Sequence, residues 1–251
     1  MTRTVRLLGL DFADLGVEEA VRWVLDRPAD GAFDFVVTPN ADHLVRLARD
    51  PALAAIYRDA ALRLLDSRVV ARATRAVGLR APGVVTGSDL AAKLLPRLPS
   101  GERVTIVGMR QAWLPALIAR TGIAPPAHFD PPMGFDADPA AMDAAVRFVL
   151  DHPARLVFLA VGSPRQERLA AAVKATGRAN GLALCIGSGL EFAAGVVPRA
   201  PGWMQAAGFE WLHRLGRDPR RLARRYLADD PAIFSLLVGE RWRRIGEAMP
   251  Q

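Results

Sequence analysis

From residue 5 to residue 186 the chain alternates between two hydrophobic periods. Short apolar runs rich in Val, Leu, Ile and Phe fall at 5–10, 33–37, 62–65, 104–107, 156–161 and 182–186, and each predicts a strand. Between them, apolar residues return every three or four positions over 17–26, 41–60 with a break at Pro51, 69–77, 90–98, 113–120, 139–150 and 164–176, which is the spacing of amphipathic helices. Strands that alternate with helices predict an α/β fold with a Rossmann-like, mainly parallel sheet and helices on both faces. The proline-rich stretch 124–134 reads as a loop around one short extended segment. Ligands of such sheets bind beyond the carboxyl ends of the strands. The polar residues there are Thr38-Pro39-Asn40, Asp66-Ser67-Arg68, Gly108-Met109-Arg110, Gly162 through Gln166, and Gly187-Ser188-Gly189.

After Gly195 the alternation stops. Two prolines within 196–201, followed by helical spacing with no further strand, place a boundary near Arg199 between a Rossmann-like body, 1–198, and a small helical C-terminal appendage, 199–251. Within the appendage Gly216 reads as a helix stop and Asp218-Pro219 as a new start, giving two short helices. In the second, Arg221, Arg224 and Arg225 share one face and Leu222 and Tyr226 another. A basic face beside an apolar one suits a helix that binds a surface.

Composition narrows the class. With 251 residues, 51% hydrophobic and 24% charged, the chain has the makings of one large domain, or a domain plus a small appendage. Its one cysteine, Cys185, has no partner for an internal disulfide, no charged-then-apolar leader precedes Leu7, and no apolar run approaches the roughly 20 residues that span a bilayer. The expectation is a cytoplasmic protein without a transmembrane span. A net charge of +7 attracts anions, whether nucleic acid, phosphorylated substrates or an acidic membrane face. The cations are nearly all Arg, and Arg214, Arg217, Arg220, Arg221, Arg224 and Arg225 crowd around a single acid, Asp218. The planar guanidinium suits phosphate, although an Arg-for-Lys bias through the whole chain can equally reflect codon composition.

Several chemistries are disfavoured. There is no GxGxxG after the first strand and no GxxxxGK[ST], which argues against a dinucleotide oxidoreductase or a P-loop NTPase. His43, His128, His152 and His213 are scattered and form no zinc pattern with one cysteine. Asp136-Ala137-Asp138 looks like a metal-binding carboxylate pair, yet Asp138-Pro139 also reads as an ordinary helix cap. Asp66, at the end of its strand, either faces a ligand or caps the helix that follows. Ser163-Pro164-Arg165-Gln166 fits a capping box, the alternative being that Gln166 serves a ligand. Thr38-Pro39-Asn40 fits a turn, and Gly87-Ser88-Asp89 a helix start. A basic nucleic-acid-binding α/β protein is the rival class; it lacks a recognisable helix-turn-helix spacing, an RNP-type strand and, at 7% aromatics, a supply of stacking residues.

Taken in order, Thr38-Pro39-Asn40-Ala41-Asp42-His43, the strand ending in Asp66, Thr86-Gly87-Ser88-Asp89-Leu90, Val161-Gly162-Ser163-Pro164-Arg165-Gln166-Glu167, Arg199-Ala200-Pro201-Gly202-Trp203-Met204 and Glu210-Trp211-Leu212-His213-Arg214-Leu215 resemble the WecG/TagA/CpsF glycosyltransferase family. The resemblance covers roughly residues 33–226. It implies inverting, metal-independent transfer of a sugar from a UDP-sugar to a polyprenyl-pyrophosphate-linked saccharide in surface-polymer assembly, with no nucleic acid as partner and no cofactor. Carried onto this chain, it makes Asp66 the general base and puts Thr38 and Asn40 beside the donor. Gln166 would hydrogen-bond the donor sugar or diphosphate, and Gly162 and Gly187-Ser188-Gly189 would let the backbone approach the nucleotide. Glu191 stands where relatives often have Asp. The appendage would lie near the membrane, with Arg214, Arg221 and Arg224 on the lipid pyrophosphate and an apolar face containing Trp203, Trp211 and Leu212 on lipid. A nucleotide-sugar hydrolase is a further alternative, and a homo-oligomer is compatible with the sequence. Two departures stand out: Ser67-Arg68 follow Asp66 where many relatives have Gly, and Val84 occupies a position that often holds Arg. Arg68 is the candidate to supply the missing charge to the leaving diphosphate. The departures leave the sugar open between N-acetylmannosamine, glucose and other hexoses.

Overall fold

The computed structural model describes residues 3–248, except for the side chains of Ala206, Arg214, Arg221, Arg225, Ala228 and Ala248. The strands are β1 (Thr4–Leu7), β2 (Leu10–Ala13), β3 (Asp34–Val37), β4 (Leu62–Arg63), β5 (Val104–Gly108), β6 (Ala127–Phe129), β7 (Leu156–Ala160) and β8 (Leu182–Cys185). The helices are α1 (Val17–Leu25), α2 (Ala41–Leu47), α3 (Pro51–Asp59), α4 (Arg68–Ala76), α5 (Gly87–Leu94), α6 (Leu114–Thr121), α7 (Pro139–Asp151), α8 (Arg165–Ala175), α9 (Gly189–Ala193), α10 (Gly202–Ala207), α11 (Glu210–Arg217), α12 (Pro219–Arg224) and α13 (Ala232–Ala248).

Six strands form one parallel sheet in the order β4-β3-β8-β7-β5-β6. Because side chains alternate across a strand, each run feeds both faces. Phe35, Val37, Val157, Leu159, Ala183 and Cys185 pack with α2, α3, α4, α7, α8 and α13. Val36, Val104, Ile106, Leu156, Phe158, Leu182 and Leu184 pack with α1, α5, α6 and α9. This two-sided burial explains why the strands read as nearly unbroken apolar runs. The expected Rossmann-like architecture is therefore the observed one, down to the short extended segment inside the proline-rich stretch, which is the edge strand β6.

Three local expectations are corrected. The run at 5–10 is not one strand but an antiparallel hairpin, in which Leu8 and Gly9 take positive φ of 49° and 77° and form the turn. Such a turn matches the right-handed twist of the paired strands, and the apolar Leu8 masked it in the sequence. Gly216 does not end a helix; α11 runs through it to Arg217, and the break falls at Asp218 before Pro219. A short helix, α9, follows β8 where no helix was predicted. The break at Pro51 is as expected, with Asp50 capping α3 by accepting Leu53 N–H at 3.0 Å.

The hairpin is held to the body by Asp14, whose carboxylate accepts from Arg80 at 2.8 Å, from Gly83 N–H at 3.0 Å and from Arg3 at 3.3 Å. The hydrogen bond from Arg80 is the main reason its carboxyl titrates below the usual 3.8. A carboxyl depressed in the folded state adds stability above the unfolded value, and that stability is lost as pH falls through the folded value. Asp14→Asn is expected to lower stability by about 1 kcal/mol at pH 7, solvent screening keeping the figure small. Denaturant melts at several pH values should show the gap between wild type and variant closing below about pH 3.8.

Candidate active site at the strand ends

The carboxyl ends of β3, β4 and β8 gather most of the predicted residues. Thr38 is buried after β3, and its hydroxyl donates to Cys185 C=O at 3.1 Å, joining β3 to β8. Asn40 caps α2 by accepting His43 N–H at 3.3 Å. Beyond β4 the chain keeps pairing: Leu64 N–H donates to Val37 C=O, Asp66 N–H to Pro39 C=O at 2.9 Å, and Leu65 bridges Val84 in parallel. Asp66 is thus carried to the same edge as Asn40. The helix cap of α4 is Ser67, whose Oγ accepts Val70 N–H at 3.1 Å. The Asp66 carboxylate is turned elsewhere, its Oδ2 accepting Gly87 N–H at 3.1 Å at the start of α5. This puts the carboxylate at the positive end of α5.

Gly87 and Gly189 let two helix starts meet. A Cβ on Gly189 would lie 3.0 Å from Gly87 C=O, and one on Gly87 would lie 3.2 Å from Ile186 Cα, so side chains there would push α5 from α9 and shift the donor to Asp66. Glu191, half-buried, sits in the first turn of this α9.

Gln166 does not form the capping box. α8 begins after Pro164 with no side-chain cap, and the Gln166 carboxamide, 2% exposed, spans two protein partners instead. Its Oε1 accepts Gly187 N–H at 2.9 Å and its Nε2 donates to Glu167 Oε1 at 2.9 Å. Gly187 has φ of +52°, a left-handed backbone that aims its N–H at this amide.

Arg68, at the start of α4, places its guanidinium 3.8 Å from Asp89 Oδ2, while Arg199 donates to Asp89 Oδ1 at 2.8 Å. Arg199 Nε and Nη2 are sealed from solvent without a hydrogen bond among the described residues. Sequence reading gave Arg199 only a place in a motif and at a boundary. Its partner lies 110 residues away, so local pattern offered no signal for the pairing.

A cavity of roughly 330 Å³ opens between this edge and the helices that follow Pro201. Asn40, Asp66, Arg68 and Thr86 line one side; Gln205, Glu210, Trp211, Tyr226, Asp230 and Phe234 line the other. Trp211, expected on an outer apolar face, turns into this cavity with its ring edge against Tyr226. Trp203 and Leu212 do face outward, at 67% and 47% exposure. Arg224 is outside the lining, 88% exposed and 3.9 Å from Asp229, and the side chains of Arg214 and Arg221 lie outside the described residues.

Asp136 and Asp138 have structural partners: Asp138 caps α7, and Asp136 pairs with Arg168 at 2.8 Å. Among the described residues no three His, Cys, Asp or Glu side chains gather as metal ligands, and no helix is long and apolar enough to cross a membrane.

The family described as "Glycosyl transferase WecG/TagA/CpsF family" matches residues 5–247, taking in the hairpin, the sheet, the strand-end residues and the C-terminal helices that line the cavity. A match of that extent, on a chain whose fold brings the family-like motifs to one edge, shows that this chain belongs to the WecG/TagA/CpsF family of glycosyltransferases.

Proposed function

We propose that the chain moves a hexose or N-acetylhexosamine, such as N-acetylmannosamine or glucose, from a UDP-sugar to a polyprenyl-pyrophosphate-linked saccharide in cell-surface polysaccharide biosynthesis. The anomeric centre inverts, and no metal takes part. The observation that carries this reading is the Asp66 carboxylate on the wall of a cavity shared by the strand ends and the appendage. Asp66 takes the proton of the acceptor hydroxyl as that oxygen bonds to the anomeric carbon, and the bond from that carbon to the UDP oxygen breaks on the opposite face. An aspartate is a weak base, so the rate depends on holding the two substrates in line. The hydrogen bond to Gly87 N–H supports such positioning.

Arg68 offsets the charge of the departing diphosphate. Arg68 lines the cavity together with Asp66, which supports this role, whereas Val84, bridged to Leu65, lines a separate cavity with Asp14 and Gly83. Arg68→Ala is expected to lower kcat/KM for the donor by about tenfold or more, the scale of one charge-assisted contact. Steady-state kinetics with the preferred donor check this, and an unchanged kcat/KM would remove Arg68 from the role.

The protein works at the cytoplasmic face of the membrane as a peripheral protein. Exposed Trp203, Leu212 and Leu227 and the exposed guanidinium of Arg224 support such attachment, which salt should weaken. The test of the whole reading is UDP release from a panel of UDP-sugars, with and without a lipid-pyrophosphate-linked saccharide and with and without a chelator. Release that requires acceptor, selects one sugar and ignores the chelator is the expected result. Release without acceptor would make the protein a nucleotide-sugar hydrolase. Salt-sensitive binding of DNA or RNA that survives loss of Asp66 and disappears with the appendage would favour the nucleic-acid reading.

A further inference from the structure

We propose that Glu167 is a positioning residue, a buried acid that fixes the orientation of the Gln166 carboxamide and through it the Gly187 turn against which the donor nucleotide rests. The proposal depends on the transferase reading for the ligand, but not for the positioning itself.

Glu167 lies in the first turn of α8 with no exposed surface. Its Oε1 accepts Gln166 Nε2–H at 2.9 Å, while Oε2 is sealed from solvent and makes no hydrogen bond among the described residues. Its surroundings are hydroxyls and a thiol. Tyr57 and Ser163 stand beside it, Tyr57 O–H lies 3.1 Å from His43 Nδ1 and 3.3 Å from Ser163 Oγ, and Cys185 Sγ–H points to Gln166 C=O. Arg46, at the edge of this network, donates to Ser163 Oγ at 3.3 Å and is paired with Asp42 at 2.6 Å. Among the described residues no cation pairs with Glu167, so burial disfavours its ionised form, while the hydrogen bond from Gln166 and the hydroxyls of Tyr57 and Ser163 work the other way. Burial correspondingly pushes the Glu167 carboxyl up, as it does the Tyr57 phenol and the Cys185 thiol. What the network requires of Glu167 is the accepting oxygen Oε1 that meets the Gln166 amide N–H, and Tyr57 and Ser163 lie beside its carboxyl.

The consequence is directional. A carboxamide has one donating and one accepting end, and Gly187 N–H requires the accepting one. With an acceptor fixed at Glu167 Oε1, the amide has only one orientation that satisfies both neighbours. Remove that acceptor and the Gln166 amide is free to turn, which would set N–H against N–H at Gly187 and release the turn that follows β8. This network reaches from α3 and α8 to the strand end, a span no single cap provides.

The experiment compares wild type, Glu167→Gln and Glu167→Ala by amide hydrogen exchange over residues 186–189, by calorimetric binding of UDP, and by the separate KM and kcat for the UDP-sugar donor. The expected result is that Glu167→Ala exchanges at least about tenfold faster over 186–189, binds UDP about tenfold more weakly, and loses more in donor KM than in kcat. Glu167→Gln, which keeps an oxygen for Gln166 and an N–H for the hydroxyls, should restore all three to within about threefold. Should Glu167→Ala not fold, Glu167→Leu fills the volume without an acceptor and takes the same readouts. Unchanged exchange and UDP binding in the variant lacking the acceptor would overturn the proposal. So would a Glu167→Gln variant as impaired as Glu167→Ala, since that would require the charge. A wild-type protein that neither binds UDP nor releases it would instead defeat the transferase reading, and the exchange measurement alone would then decide whether Glu167 orders the turn.

Discussion

Asp66→Asn is expected to lower acceptor-dependent UDP release by about 10²–10⁴-fold, the usual contribution of a positioned general base. The change removes basicity and charge while keeping the side chain's shape and one accepting oxygen. An Asn side-chain oxygen can still accept Gly87 N–H, the hydrogen bond that now orients Asp66, and the cap of α4 belongs to Ser67, so neither neighbouring helix loses its terminus. Thermal melts and UDP binding should therefore match wild type while kcat falls. That split separates a lost base from a collapsed site, because loss of an interaction made only in the transition state leaves ground-state binding alone. An Asn variant with near-normal turnover would mean that the proton leaves by another route, and the cavity's other carboxylates, Glu210 and Asp230, would be the next to replace.

Leu237→Ala is expected to destabilise the whole protein by about 2–5 kcal/mol, the range for emptying a closed core position. For a chain of this size that is roughly 5–15 °C in Tm. The prediction follows from where α13 sits. Although it lies in the last part of the chain, Ile233 and Leu237 are buried in the same cluster as Phe35, Val37 and Leu65 of the sheet, against α2 and α4. Buried Glu240 holds Arg244 at 2.7 Å and also pairs with Arg243, and Arg244 in turn donates to Arg6 C=O at 2.6 Å in the N-terminal hairpin. A loss below about 0.5 kcal/mol, the level of an ordinary surface change, would show that α13 opens separately from the sheet. Coupled to the first prediction, this also bears on the cavity: Ile233 and Phe234 of α13 line it, so loosening the helix should weaken substrate binding before the sheet melts.

The site was legible in uneven measure. Asp66 stood out because a carboxylate closed an apolar run, yet the choice between ligand group and helix cap turned on a shift of one residue. Hydrogen bonding settled the cap in favour of Ser67. Gln166 carried a false local signal: the capping-box pattern was present, and the side chain bonds instead to Gly187, 21 positions along. Glu167 entered only as the end of a motif, and nothing in the local pattern marked it as wholly buried. Arg199 gave no sign that it would meet Asp89.

The sequence by itself determined the α/β class, the alternation of strands and helices, the break at Pro51 and the basic character of the tail, because these follow from hydrophobic period, backbone chemistry and charge counted along the chain. What the tertiary structure alone decided was the order of the strands, the placing of α13 in the core, the inward turn of Trp211 and the partners of Gln166, Glu167 and Arg199. Each of these is a contact between residues far apart in sequence, and such contacts are selected by packing and by the need to satisfy buried polar groups, which no local window of residues contains.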